Sequence, residues 1–137
     1  MMALLPVVFA AFLQASPAPL ETVARATMSA IDEPRQSAVR TPEEWAALWK
    51  AHAGDTPAPR VDFAAKMVLA VFLGTRPSAG FAVEIVGTRA EGTGLVVQWR
   101  ERRPDPDMMT AQVLTAPAHM VVVPKVAGPI RFEKAGQ

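Results

Sequence analysis

Apolar positions along the chain change period several times, and each change marks an element. The stretch "TPEEWAALWKAHAG" has the three-and-four spacing of a helix, with Trp45, Leu48, Trp49 and His52 on one face. Thr41 reads as its N-cap, with Pro42 at the first helical position and Glu44 three residues after the cap. Gly54 reads as its stop. From Val61 onward the period is that of strands. "KMVLAVFLG" is apolar at every second position and also between them, which predicts a central strand covered on both faces. "FAVEIVGTR" and "GLVVQWRER" predict a hairpin closed by the glycines of "AEGTG". "AQVL", "HMVVVPK" and "IRFEK" read as further strands, with "RPDPDMMT" as a proline-broken loop. Upstream, Glu21 to Arg40 reads as two short strands around a turn at Asp32 to Pro34, at an edge. The expected fold class is mainly β or α+β, a small and mostly antiparallel sheet or sandwich with one packed amphipathic helix.

The first residues obey no such pattern. "MMALLPVVFAAFLQA" carries no charged side chain, and none occurs before Glu21. An apolar stretch ending in a small residue predicts a secretory signal over residues 1–15, cut after Ala15. A linker over 16–20 and one domain over 21–137 follow. The stretch is short for a bilayer-spanning helix, so the mature chain is expected to hold no membrane span. The expected location is the periplasm or the extracellular space.

Composition narrows the chemistry. The chain has 137 residues, 50% hydrophobic and 20% charged, with a formal net charge of +1 and no cysteine. A near-zero charge supplies no field for nucleic acid, and the absence of cysteine removes thiolate nucleophiles and cysteine metal sites. The basic run "WRERRPD" alternates. Arg100 and Arg102 share one face, while Trp99, Glu101 and Arg103 share the other. It reads as a solvated strand end rather than a nucleic-acid surface. No metal-ligand spacing occurs, and no cofactor is expected. For nucleophilic catalysis the one pair considered is Ser78 with His119, in a chain with no G-x-S-x-G elbow. His119 itself reads as an outward or edge residue of its strand, and His52 as a cover for the rim of the helix face.

The segment "GTRPSAGF" lies between two strands. Pro77 fixes one backbone angle, while Gly74 and Gly80 permit positive ones, so the stretch reads as a turn with Arg76 and Ser78 exposed. "FLGTRPSAGFAVEIVG", "GLVVQWRERRPDPDMM" and "TAPAHMVVVPK", in that order and spacing, resemble the C-terminal domain family named after protease complex subunit PrcB. The resemblance covers about Val61 to Glu133. Ser78, Ala79 and Phe81 stand where that family more usually has Thr, Gly and Tyr, and Ala118 stands where an aromatic is common.

The resemblance implies an exported accessory subunit rather than a catalyst. Its implied role is a non-enzymatic module that binds a protein partner, with a protease as the partner it suggests. The candidate partner-binding loop is Gly74, Thr75, Arg76, Pro77, Ser78, Ala79, Gly80 and Phe81. Secondary candidates are Met108, Met109, Thr115, Pro117 and His119. Two alternatives stay open: a protease inhibitor of the chagasin kind, since "PSAGF" is faintly similar to its loop, and a small serine hydrolase using Ser78 and His119.

Overall fold

The computed structural model describes residues 20–136. The leader read over 1–15 and most of the linker lie outside the described residues. Leu20 packs onto the core and is part of the folded body.

Among the described residues, seven strands and one helix follow one another as β1 (Glu21–Ala26), β2 (Arg35–Val39), α1 (Pro42–Ala53), β3 (Lys66–Phe72), β4 (Ala82–Glu91), β5 (Gly94–Arg102), β6 (Ala118–Pro124) and β7 (Ile130–Lys134). They form a four-stranded sheet in the order β1-β6-β3-β2 and a three-stranded sheet in the order β4-β5-β7. The fold is mainly β with one helix, as the hydrophobic pattern predicts. Pairings are antiparallel except β5 with β7, which run parallel.

The layers follow from alternation along β3. Met67, Leu69 and Val71 point between the two sheets, where they meet Val83, Ile85, Val97, Trp99 and Val121. Val68, Ala70 and Phe72 point the other way, against Trp45 and Leu48 of α1 and Met120 of β6. Period-two side chains with no polar member require cover on both faces, and the helix and the second sheet provide it.

The helix begins and ends as its sequence dictates. Thr41 has φ −132°, and its Oγ1 accepts the Glu44 N–H at 3.2 Å. Glu44 Oε1 accepts the Arg40 N–H at 3.3 Å, which completes the reciprocal cap one residue earlier than the simplest capping box. Gly54, at φ +63°, donates its N–H to the Lys50 carbonyl. Trp45 is buried with its Nε1–H on the Pro59 carbonyl. Trp49 is only half-buried, with its Nε1–H on the Thr56 carbonyl.

Three expectations change. β1 and β2 do not pair around a shared turn; they lie at opposite edges of the larger sheet, with residues 27–34 passing between them. "AQVL" is not a strand. Residues 111–114 are an exposed loop with Val113 and Leu114 in solvent, and pairing resumes only at Thr115 and Ala116 through single bridges to Arg76 and Met28. Four residues after a proline-broken loop find no partner strand of matching length, so their apolar character buries nothing. His52 is buried rather than on the rim. Its Nδ1 lies 2.7 Å from Ser29 Oγ, and its ring sits edge-on to Trp49.

The inter-sheet layer should carry much of the stability. Leu69→Ala, at a fully buried position, is expected to lower the unfolding free energy by about 2–5 kcal/mol. Thr41→Ala is expected to cost about 1 kcal/mol. Urea denaturation of both variants checks the ranking.

Candidate functional site

The loop that leaves β3 is built inward. Gly74 has φ +80°, and a Cβ there would lie 2.8 Å from Pro34. Only glycine lets the chain turn against the 32–34 segment. The Thr75 N–H and Oγ1–H both reach the Asp32 carbonyl. Arg76 then exchanges two backbone hydrogen bonds with Thr115, at 2.7 and 2.9 Å. The loop is thereby stitched to the strand entry of β6, and Leu73 adds a bond to the Pro117 carbonyl.

Arg76 does not project into solvent. Its Nε lies 2.7 Å from Glu101 Oε2 and its NH2 group 3.3 Å from Oε1, a bidentate pair. Its NH1 group also donates to the Leu73 and Thr75 carbonyls. Glu101 is only 4% exposed. The Arg76 hydrogen bond holds its carboxyl below the usual range against burial, which pushes it up; Lys134 at 3.4 Å assists. The alternation of "WRERR" puts Glu101 on the face of Trp99, but the run reads as a solvated strand end, and the structure buries Glu101. Its partner is not legible there, because Arg76 arrives from a loop 25 residues away in sequence.

Ser78 is buried as well, contrary to the exposure expected of a turn residue. Its hydroxyl donates to the Ala79 carbonyl, and its own carbonyl accepts from Thr115 Oγ1 at 2.9 Å. Ala79 N–H bonds the Ala111 carbonyl, and Gly80, at φ +95°, lies under Pro104 where a Cβ would approach to 2.7 Å. Of the eight loop residues, Thr75, Pro77 and Gly80 face solvent, and Phe81 is half-buried. The secondary candidates divide in the same way. Thr115 and Pro117 are built into the floor, while Met108 and Met109 are exposed. Three loops, Gly74–Phe81, the one holding Met108 and Met109, and the Thr115–Pro117 segment, therefore meet at one end of the molecule. Beside Thr75 and Thr115, a cleft of about 230 Å³ lies between these loops and the 27–34 segment, lined also by Met28, Ser29, Asp32, Leu114 and Ala116.

His119 has a different place from the one expected. It is 2% exposed and lies between the sheets. Its Nδ1 accepts the Ile85 N–H at 2.9 Å, so the ring proton sits on Nε2, which donates to Thr22 Oγ1 at 2.9 Å. Arg25 lies 3.2 Å from the same nitrogen and reaches the Val83 carbonyl. Burial, with the Arg25 charge adding to it, pushes the His119 pKa down to about 4; Glu84 acts weakly the other way. A neutral imidazole with both nitrogens engaged is a tie between β6 and β4. Ser78 bonds Ala79 and His119 bonds Ile85 and Thr22, so the suspected serine–histidine pair is not brought together.

The serine–histidine contact that does occur joins Ser29 to His52. It lacks the surroundings of a nucleophile. Ser29 Oγ already accepts the Ile31 N–H, and the neighbouring amides of Ser29 and Ala30 are committed to the Ala116 and His52 carbonyls. These three amides are therefore not free to stabilise an oxyanion, and the contact anchors the end of α1 to the 27–31 segment. Burial lowers the His52 pKa, which keeps it neutral there. On the outer face of β5, Arg100 and Arg102 both engage Glu84, at 3.1 and 3.4 Å, so the basic run is partly neutralised in place. Among the described residues no cluster of three or more His, Asp or Glu side chains is arranged to hold a metal ion.

Two outcomes follow from these contacts. Arg76→Ala leaves the Glu101 carboxylate buried with only the more distant Lys134, and is expected to destabilise by about 2–4 kcal/mol; Arg76→Ala/Glu101→Gln should recover part of that loss in thermal unfolding. The second concerns pH. His119 binds its proton less readily folded than unfolded, so the unfolded chain holds more protons between pH 6.5 and about 4. Stability therefore falls as pH drops through that window, by roughly 3 kcal/mol from this residue, and His52 adds in the same direction. His119→Gln should flatten the slope of unfolding free energy against pH.

No curated protein and no solved structure matches the chain. A protein-family comparison does. The stretch from Met67 to Pro124 runs from β3 to β6 and contains the stitched loop, the Glu101 strand and the Thr115–Pro117 floor; it is narrower than the resemblance read from the sequence. Residues 67–124 match the family described as PrcB C-terminal, which is the family the sequence resembles.

Proposed function

We propose that this chain is an exported, non-catalytic accessory module that docks on a protein partner, a protease assembly, through the loop end of the sheet. One observation carries the reading. Among the described residues, five of the six large apolar side chains left in solvent are Met28, Met108, Met109, Val113 and Leu114, all at this end. Met109 is fully exposed, Leu114 is 70% exposed, and Met28 and Leu114 flank the same cleft. Methionine-rich surfaces adapt to a partner, and apolar groups gathered on loops over a rigid sheet favour recognition. The family match supports a protease-complex partner, and the apolar, charge-free leader supports export.

Much of Gly74–Phe81 is scaffold, since Arg76 and Ser78 are bonded inward. The contact side chains are Thr75, Pro77 and the apolar residues of the 105–114 loop. The test is affinity purification of the tagged chain from its own envelope fraction, with the captured proteins identified. The native chain is expected to recover a peptidase-containing complex. Met109→Asp/Leu114→Asp, which changes only exposed positions, is expected to lose it at least tenfold with no shift in melting temperature. Undiminished recovery by that variant would move the surface elsewhere.

A further inference from the structure

Two open sheets have four outer edges: β1 and β2 on the larger, β4 and β7 on the smaller. A bare edge is a template for another strand, and proteins blunt those that must stay single. Three of the four are blunted. β1 is broken by a register shift between Thr22 and Ala24. β4 is bulged between Ile85 and Gly87, and its outward groups are covered, the Val83 carbonyl by Arg25 and the Ile85 N–H by His119. β7 is charged along its length, with Arg131, Glu133 and Lys134 in ion pairs to Glu91, Arg89 and Glu101.

β2 has none of these devices. Arg35 to Val39 pair with Phe72 to Val68 in unbroken register. Nothing among the described residues pairs with the outer side. Beside that edge runs a groove of about 480 Å³ between β2 and α1, with Arg35, Ser37 and Val39 on the strand and Glu44, Ala47 and Leu48 on the helix. Ser37 and Ala47 are small, so an added strand meets little obstruction.

The groove is polar at its two ends and of opposite sign. Arg35 starts β2, whereas Glu44 is tied by its Oε1 to the Arg40 N–H beyond the other end. Four residue steps separate Arg35 from Val39, about 14 Å of strand; Arg35 donates its Nε–H to Ser37 Oγ at 3.1 Å, and no ion pair joins it to its own Glu44. A second copy running antiparallel about Ser37 removes that separation. It places each Arg35 opposite the partner's Val39, with the partner's Glu44 just beyond on the same, helix-side face. A parallel copy would bring like ends together. We propose that two copies of this chain pair through β2 in this antiparallel register, joining their larger sheets into one of eight strands. Each copy spends its one open edge in the contact, so assembly closes at two.

Sedimentation velocity on the full chain from about 1 µM to 1 mM tests this, with circular dichroism confirming the fold of each variant. The expected result is a concentration-dependent dimer. Arg35→Glu and Glu44→Arg should each raise the dimer dissociation constant at least tenfold, and the double charge swap should restore it to within about threefold. Because Glu44 also caps α1, the rescue in the double variant separates a lost contact from a weakened helix. Amides of Arg35–Val39 should gain hydrogen-exchange protection as concentration rises. A monomer throughout, a dimer indifferent to both reversals, or reversals without rescue would each overturn the pairing.

Discussion

β3 and β6 are buried on both faces, and this constraint shapes everything else. A strand covered by a helix on one side and a sheet on the other can offer no side chain to solvent along its length. From Met67 to Phe72 and from Ala118 to Val123 every residue is buried. Surface open to solvent is thereby left at the ends and outer edges of the sheets and on the outer face of the smaller one. The single polar side chain within those two runs, His119, is held neutral and used to satisfy an edge strand of the facing sheet. A buried imidazole with both nitrogens bonded is affordable in such a layer; a free one would not be.

The Arg76–Glu101 pair extends the same logic to the loop end. Arg76 is joined through its backbone to Thr115, three residues before β6, and through its guanidinium to Glu101 of β5, so one residue ties the entry of a strand in the larger sheet to a strand of the smaller one. Its carboxylate partner is nearly fully buried, which makes the geometry demanding: the bidentate contact must compensate for desolvation. What looks like a connecting turn is therefore a brace. The exposed apolar residues of the 105–114 loop stand on this brace, through Ala79 on Ala111 and Gly80 under Pro104. A partner bound there would meet a floor fixed by the core.

Legibility in the sequence tracked the range of the interaction. The helix with both caps, the doubly covered β3 and the β4–β5 hairpin depend on neighbours within a few residues, and local pattern gave all of them. "AQVL" failed because strand formation needs a pairing partner, which pattern alone does not supply. Thr115 and Ala116 find single bridges, whereas residues 111–114 find none. The meeting of the loops was legible as a region, and the contacts inside it were not. The three loops do converge, yet Arg76 and Ser78 point inward because Glu101 and Thr115 lie 25 and 37 positions away. His119 was misplaced for the same reason: its bond to Ile85 crosses between the sheets and its bond to Thr22 reaches the neighbouring strand β1, 97 positions away, and alternation shows neither.

The loop end and the β2 edge are different kinds of surface, and their separation matters. The first offers exposed apolar side chains, three of them polarizable methionines, on a braced floor and suits a partner of unrelated sequence. The second offers main-chain groups in a fixed register, with Arg35 and Glu44 at opposite ends, and suits a strand that matches it. β2 joins the larger sheet through β3, and β3 leads directly into Gly74. Pairing through β2 would thus present two loop ends on one rigid sheet. Two weak contacts held at a fixed spacing can bind a repetitive or dimeric partner far more tightly than either alone. The blunting of the other three edges gives this arrangement its limit, since a fold with a second open edge would grow rather than close.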